Sequence, residues 1–149
     1  MANPAIDIPN LLYRYALYFD DGDFTAAARL FDHGGVVAAG VRVTGADNIV
    51  AMWRTWVRLH DGKPRTRHIT TNPIITLDED GRSAICQSQW TVIQAAPGYP
   101  LQIVASGRYR DSFRLIDEAW HFSERVYEKT DFVGDASAHL IRTLSEGQA

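Results

Sequence analysis

The stretch Thr66–Thr130, TRHITTNPIITLDEDGRSAICQSQWTVIQAAPGYPLQIVASGRYRDSFRLIDEAWHFSERVYEKT, decides the fold. Residues 66–77, 82–95, 99–116 and 119–130 are rich in β-branched and aromatic side chains at alternate positions and read as four long strands. Asp78-Glu79-Asp80-Gly81, Pro97-Gly98 and Asp117-Glu118 separate them. These are turn residues, suited to tight hairpins. A parallel pair needs a crossover of a dozen or more residues, and the gaps here are too short for one. The strands are therefore expected to form an antiparallel meander.

Upstream of it the period changes. Ile8, Leu11, Leu12, Tyr15, Ala16 and Phe19 recur three and four residues apart, which predicts an amphipathic helix over about 6–19. Asp20 lies four residues after Ala16 and continues the apolar stripe, whereas Asp21 and Asp23 project elsewhere. Asp23 suits the N-cap of a short alanine-rich helix, Phe24 to Phe31. Gly34-Gly35 ends it, and Val36 to Val43 reads as a small hairpin pivoting near Gly40. Thr44-Gly45-Ala46-Asp47 has the form of a capping box opening a third helix to about Leu59, with Ile49, Met52, Trp53 and Trp56 as its stripe. A helical half followed by a meander predicts an α+β fold. The expectation is one domain over 1–149, with a core of about 6–131 and a tail, 132–149, that is irregular or briefly helical around Ala136 to Leu144.

Composition bounds the function. The chain has 149 residues, 46% of them hydrophobic, with four Trp, six Tyr and six Phe, enough for a core or cavity walled by rings. A net charge of −3 argues against a nucleic-acid partner. The arginines at 65, 67, 108, 110 and 114 are interrupted by acids and read as a solvated sheet face. The single cysteine, Cys86, lies in a strand pattern as a small core residue. No apolar run reaches membrane-span length, and the N-terminus lacks a signal-peptide pattern. A cytoplasmic protein without a membrane partner is expected. The five histidines show neither HxH nor HExxH spacing, so no metal is expected, and without a glycine-rich phosphate loop no dinucleotide cofactor is expected either.

Strand alternation assigns faces. Thr66, His68, Thr70, Asn72 and Ile74 share one face of the first long strand. Tyr99, Leu101, Ile103, Ala105, Gly107, Tyr109, Asp111 and Phe113 share one on the third, and Trp120, Phe122, Glu124 and Val126 share one on the fourth. A few polar groups in an apolar concave wall describe a small-molecule site. Asp20 and His68 stand out, because a carboxylate beside an imidazole is a general acid/base pair, the carboxylate orienting the ring. Each has a plainer reading. A strand histidine can be structural, and Asp20 can cap a helix end. Trp53 and Trp56 can be simple core, and Tyr109 can hydrogen-bond at a cavity edge. Asp111 and Glu124 can pair with Arg108 and Arg125 at a bulge.

Several motifs carry a resemblance when taken in order. They are Phe19-Asp20-Asp21-Gly22-Asp23, Leu30-Phe31, Thr44-Gly45-Ala46-Asp47-Asn48-Ile49-Val50, Arg67-His68-Ile69-Thr70-Thr71-Asn72, Gly107-Arg108-Tyr109-Arg110-Asp111-Ser112-Phe113 and Ala119-Trp120-His121-Phe122-Ser123-Glu124-Arg125. Over about residues 6–131 they resemble the SnoaL-like branch of the NTF2-like superfamily, and within it scytalone dehydratase and hexachlorocyclohexane dehydrochlorinase.

The resemblance implies an α+β cone, a curved antiparallel sheet wrapped over N-terminal helices around one pocket. It implies that Asp20 and His68 meet, with His68 as the base of a cofactor-independent elimination on a small hydrophobic or aromatic, cyclic molecule. The pocket residues expected around them are Phe19, Trp53, Asn72, Trp90, Tyr109 and Asp111. It also implies a homodimer or homotrimer that buries the outer sheet face. The pattern departs from scytalone dehydratase at Phe19, where that enzyme has a tyrosine, and near Val37 or Ala38, where it has a second. It departs again at Gly107 and Tyr109, in place of serine and asparagine, and around Gln89 to Gln94, where no second pocket histidine occurs. Other members of the superfamily are isomerases, hydrolases, dioxygenase β subunits and binding modules, so a non-catalytic small-molecule-binding role is the alternative.

Overall fold

The computed structural model describes residues 1–148. Helix α1 (Pro4–Asp20) starts where the Asn3 side chain accepts the Ala5 N–H, with Pro4 in the first turn. Its buried stripe is Ile8, Leu11, Leu12, Tyr15, Ala16 and Phe19. Ile8 and Leu12 are wholly buried, each a contribution of about 1.5–3 kcal/mol. Gly22, at φ +78°, ends this segment in a conformation other residues disfavour. Any Cβ there would strike the Gly62 carbonyl, so the 60–63 loop seats directly against the turn that follows Asp20. Helix α2 (Phe24–Arg29) is capped by Asp23, whose carboxylate accepts the Ala26 N–H at 2.9 Å.

Strands β1 (Gly35–Ala38) and β2 (Val41–Thr44) form the small hairpin. Helix α3 (Ala46–Arg54) departs from expectation at both ends. Its N-cap is Gly45 at φ +82°, with no side-chain cap, so Thr44-Gly45-Ala46-Asp47 is not a capping box. Thr44 remains the last residue of β2, and its carbonyl accepts the Asn48 side-chain amide at 3.0 Å. The helix stops at Arg54 and not near Leu59, because Val57 is drawn into a bridge with Leu140.

Strands β3 (Thr66–Leu77), β4 (Ser83–Gln94), β5 (Gln102–Ile116) and β6 (Ala119–Val133) form the meander. The six-stranded order is β2-β1-β6-β5-β4-β3, with β1 parallel to β6 and every other pair antiparallel. The helices pack against the inner face. The core runs from Ile8, Leu12 and Phe19 across Trp53 to Trp90, Val104, Phe113 and Phe122. The predicted α+β class is what the chain adopts.

β-Bulges reassign several inward positions, because one inserted residue turns every later side chain to the other face. On β3 the register slips between Thr71 and Ile74, with Asn72 at φ +52°. Asn72 and Ile74 are consequently exposed, and Pro73 and Ile75 turn inward. On β5 a slip next to Ala105 leaves Ile103 and Leu101 exposed and buries Val104. On β6 the slip between Phe122 and Glu124 turns Glu124 outward and Arg125 inward.

Candidate functional site

Asp20 closes α1 with half-buried side-chain oxygens facing the start of β3. Its Oδ1 accepts from His68 Nδ1 at 2.5 Å and from the Thr66 hydroxyl at 2.7 Å. Its Oδ2 accepts the His68 backbone N–H at 2.7 Å. Alternation on β3 makes this possible, since Thr66 and His68 share the inner face. Burial pushes the Asp20 carboxyl up, but the His68 ring, the His68 N–H and the Thr66 hydroxyl together outweigh it and hold it below the usual carboxylate range. An ionised Asp20 only accepts, so His68 Nδ1 donates this hydrogen bond and leaves Nε2 as the ring's other nitrogen. The two side chains keep 8% and 16% exposure, so the pair sits just inside the rim of the cone and not at its centre.

Aromatic rings surround the pair. Phe19 stands edge-on to the His68 ring at 5.2 Å and to Trp53 at 5.2 Å. Trp53 donates its indole N–H to the Tyr127 hydroxyl at 3.0 Å, and that hydroxyl also meets the Tyr15 hydroxyl at 2.9 Å. Tyr109 joins Trp90 at 5.9 Å and Tyr127 at 5.7 Å. Burial raises the phenol pKa of Tyr15, Tyr109 and Tyr127, so all three remain neutral.

The centre of the cone holds a fully buried ion pair. Arg125 donates to both oxygens of Asp111 at 2.8 Å. Its guanidinium lies over the Tyr109 ring at 3.9 Å and the Tyr15 ring at 4.2 Å. Burial alone would lower the Arg125 pKa, but Asp111 outweighs it and raises it. These side chains occupy the middle of the space that sequence reading assigned to an open pocket. Clefts of about 270, 300 and 340 Å³ lie on the surface, and these are lined by residues other than Asp20 and His68.

Phe19, Trp53, Trp90, Tyr109 and Asp111 all lie inside the cone, Asp111 as the partner of Arg125. Asn72 does not. The bulge turns it outward, where its amide donates to the Gln89 side chain at 2.7 Å. Glu124 pairs with Arg42 at 3.0 Å, and Arg108 with Asp131 at 2.9 Å. Cys86 is a wholly buried core residue whose thiol burial pushes up to about 12. Arg125 pairs with Asp111 beside the bulge, one of the plainer readings of the sequence; its inward place, and those of Tyr127 and His139 in the interior, were not read from sequence. For Arg125 and Tyr127 the alternation on β6 pointed the wrong way until the bulge was known. His139 comes from the tail, which folds back so that its ring lies 6.3 Å from that of His68. Among the described residues no cluster of three metal-ligating side chains occurs, and no helix is long and apolar enough to cross a membrane.

The helix-backed curved sheet is an architecture that known proteins share. The model of the SnoaL-like domain matches residues 6–126, and the chain belongs to that family. The chain is similar to a function-unknown protein from Mycobacterium tuberculosis, solved as an aspartate-to-asparagine variant. The two are 24% identical with a TM-score of 0.70, over 89% of this chain and 74% of that one. A provisionally assigned scytalone dehydratase from Novosphingobium aromaticivorans is 21% identical, TM-score 0.69, over 95% of this chain and 89% of that one. An NTF2-like protein with a cystatin-like fold, also from Novosphingobium aromaticivorans, is 20% identical, TM-score 0.65, over 80% and 77%. At these identities the likeness establishes the fold. No curated protein matches the chain by sequence.

Proposed function

We propose that this chain is a cofactor-independent lyase, a dehydratase or dehydrohalogenase, acting on a small hydrophobic or aromatic, cyclic molecule. The observation that carries the reading is the Asp20–His68 contact at 2.5 Å, with Asp20 held ionised by two further donors. His68 Nε2 removes a proton from a substrate carbon, and the C–H electron pair becomes the new C=C bond. The leaving group departs from the adjacent carbon with its bonding pair. In a dehydration His68 returns the proton to the departing hydroxyl, so water leaves. Asp20 offsets the transient imidazolium charge, and the Phe19, Trp53 and Trp90 rings supply an apolar wall for the substrate.

The likeness to a provisionally assigned scytalone dehydratase agrees with an elimination. An isomerase or hydrolase would share the same first proton transfer. The non-catalytic binding module is favoured by the filled centre of the cone, where Asp111, Arg125 and the tyrosines leave little room. The deciding experiment screens cyclic alcohols, ketones and halides for loss of water or hydrogen halide by wild type, His68→Ala and Asp20→Asn. Either substitution is expected to slow a positive reaction by about 10²–10⁴-fold, the usual worth of a positioned general base. A product forming equally fast with both variants removes the mechanism, and binding without turnover across the screen favours the binding module.

A further inference from the structure

His139 lies outside the family-matched region, yet it is the most carefully held residue of the tail. The Arg58 N–H donates to the His139 carbonyl at 2.8 Å, and Arg58 Nε donates to the Leu140 carbonyl at 3.1 Å. The Ile141 N–H donates to the Trp56 carbonyl at 2.7 Å, and Leu140 bridges to Val57. On the other side the Ala138 carbonyl accepts from Gln94 Nε2 at 3.1 Å and is 2.8 Å from His60 Nε2. Gln94 itself is buried and anchored to the Pro64 carbonyl at 2.9 Å. The backbone on both sides of His139 is therefore fixed to the 56–60 segment and to β4.

The ring so positioned does nothing for the fold that hydrogen bonding would reveal. His139 is 6% exposed, and its Nδ1 is sealed with no partner. An orphaned buried polar atom is costly, and native proteins rarely keep one without a reason. Gln94 Oε1, on the same clamp, is sealed without a partner too. The His139 ring stands edge-on to that of His68, their centroids 6.3 Å apart.

We propose that His139 is a substrate-contacting residue, a neutral hydrogen-bonding imidazole across from His68, and that the ligand it selects is a ring compound bearing a hydroxyl or carbonyl oxygen in preference to its purely apolar or halogenated analogue. This rests on the reading of the Asp20–His68 pair as the working centre and names its substrate class. Burial, with the nearby His68 adding to it, pushes the His139 imidazole down to about 3. His139 is thus a poor base, and proton removal stays with His68. Its contribution is to hold and polarise an oxygen.

The test uses two small probes, 4-fluorophenol and fluorobenzene, with binding to the full chain read by ¹⁹F NMR. Wild type is expected to bind the phenol more tightly. His139→Phe keeps the ring and loses both nitrogens, so it should lower phenol affinity about 5–10-fold, the worth of one hydrogen bond. Fluorobenzene affinity should not change. His139→Gln restores a hydrogen-bonding side chain and should recover part of the preference, which a purely structural role would not predict. Circular dichroism of each variant checks the fold. Equal losses for both probes, an unchanged preference in His139→Phe, or no binding of either probe to wild type overturns the proposal. Failure of the lyase reading looks different, since the preference would persist while the His68→Ala and Asp20→Asn variants turned substrate over at the wild-type rate.

Discussion

Replacing Asp111 with alanine tests whether the cone is organised around its buried ion pair. Both side chains are fully inaccessible, and both Asp111 oxygens accept from Arg125 at 2.8 Å. Among the described residues Arg125 has no other partner of opposite charge, and its Nη1 already lacks a hydrogen bond. The Tyr109 and Tyr15 rings attract the guanidinium from 3.9 and 4.2 Å, but cation–π attraction is worth about 2 kcal/mol when desolvated and does not replace a carboxylate. Asp111→Ala leaves a desolvated, uncompensated cation, for which about 3–5 kcal/mol of destabilisation is expected. That is a large share of the roughly 5–15 kcal/mol a domain has. At about 2–4 °C per kcal/mol, Tm should fall by roughly 6–20 °C. Urea unfolding followed by circular dichroism gives the free energy. Glu124→Ala, which breaks the exposed pair with Arg42, is the control and should cost under about 1 kcal/mol. Asp111→Leu combined with Arg125→Met should recover most of the loss, since apolar replacement of a whole buried pair is often neutral or stabilising. An Asp111→Ala variant within about 1 kcal/mol of wild type would refute the reasoning, as would a double variant less stable than the single.

Three further outcomes are expected. His139 is depressed to about 3 in the fold, so the unfolded chain, with its ordinary imidazole, binds the extra proton below about pH 6.5. Stability should therefore fall on acidification through that window, by about 2 kcal/mol from this group between pH 7 and pH 5. His139→Phe should flatten that part of the slope in urea melts at the two pH values, and an unchanged slope would contradict the assignment. Gly107→Ala would put a Cβ 2.5 Å from the Trp90 ring and into the Lys129 carbonyl, a backbone group that cannot swing away. A loss of about 2–3 kcal/mol is expected from such overpacking, and a neutral effect by thermal melting would mean β5 and β6 sit farther apart. The outer sheet face carries Ile69, Ile103 and Phe132 at 40%, 61% and 69% exposure, and we propose that it is buried in a dimer or trimer. Light scattering should show that Phe132→Asp dissociates the oligomer, and a wild type that is monomeric throughout the micromolar range would exclude the interface.

Much of the frame was readable in the residues. The four strands of the meander emerged within a few residues of their bounds from alternation and turn residues, because both are local. Helical spacing put Asp20 on the buried stripe, and period-2 alternation put Thr66 and His68 on one face. What the residues could not show was where the ladder slips. A bulge costs one residue and has no reliable local signature here, yet it reverses every assignment beyond it. Asn72 went out, Arg125 and Tyr127 came in, and Glu124 turned to Arg42 for that reason. The inward Arg125 explains why Asp111 can be buried at all, since a lone carboxylate at that depth would be prohibitive. His139 was the least legible residue. Its place beside His68 depends on contacts between the tail and residues 56–60 about 80 positions earlier. Strand periods and helix stripes are properties of neighbours in sequence. Bulge positions and the docking of a tail are set by the whole packed interior, and only the tertiary structure decided them.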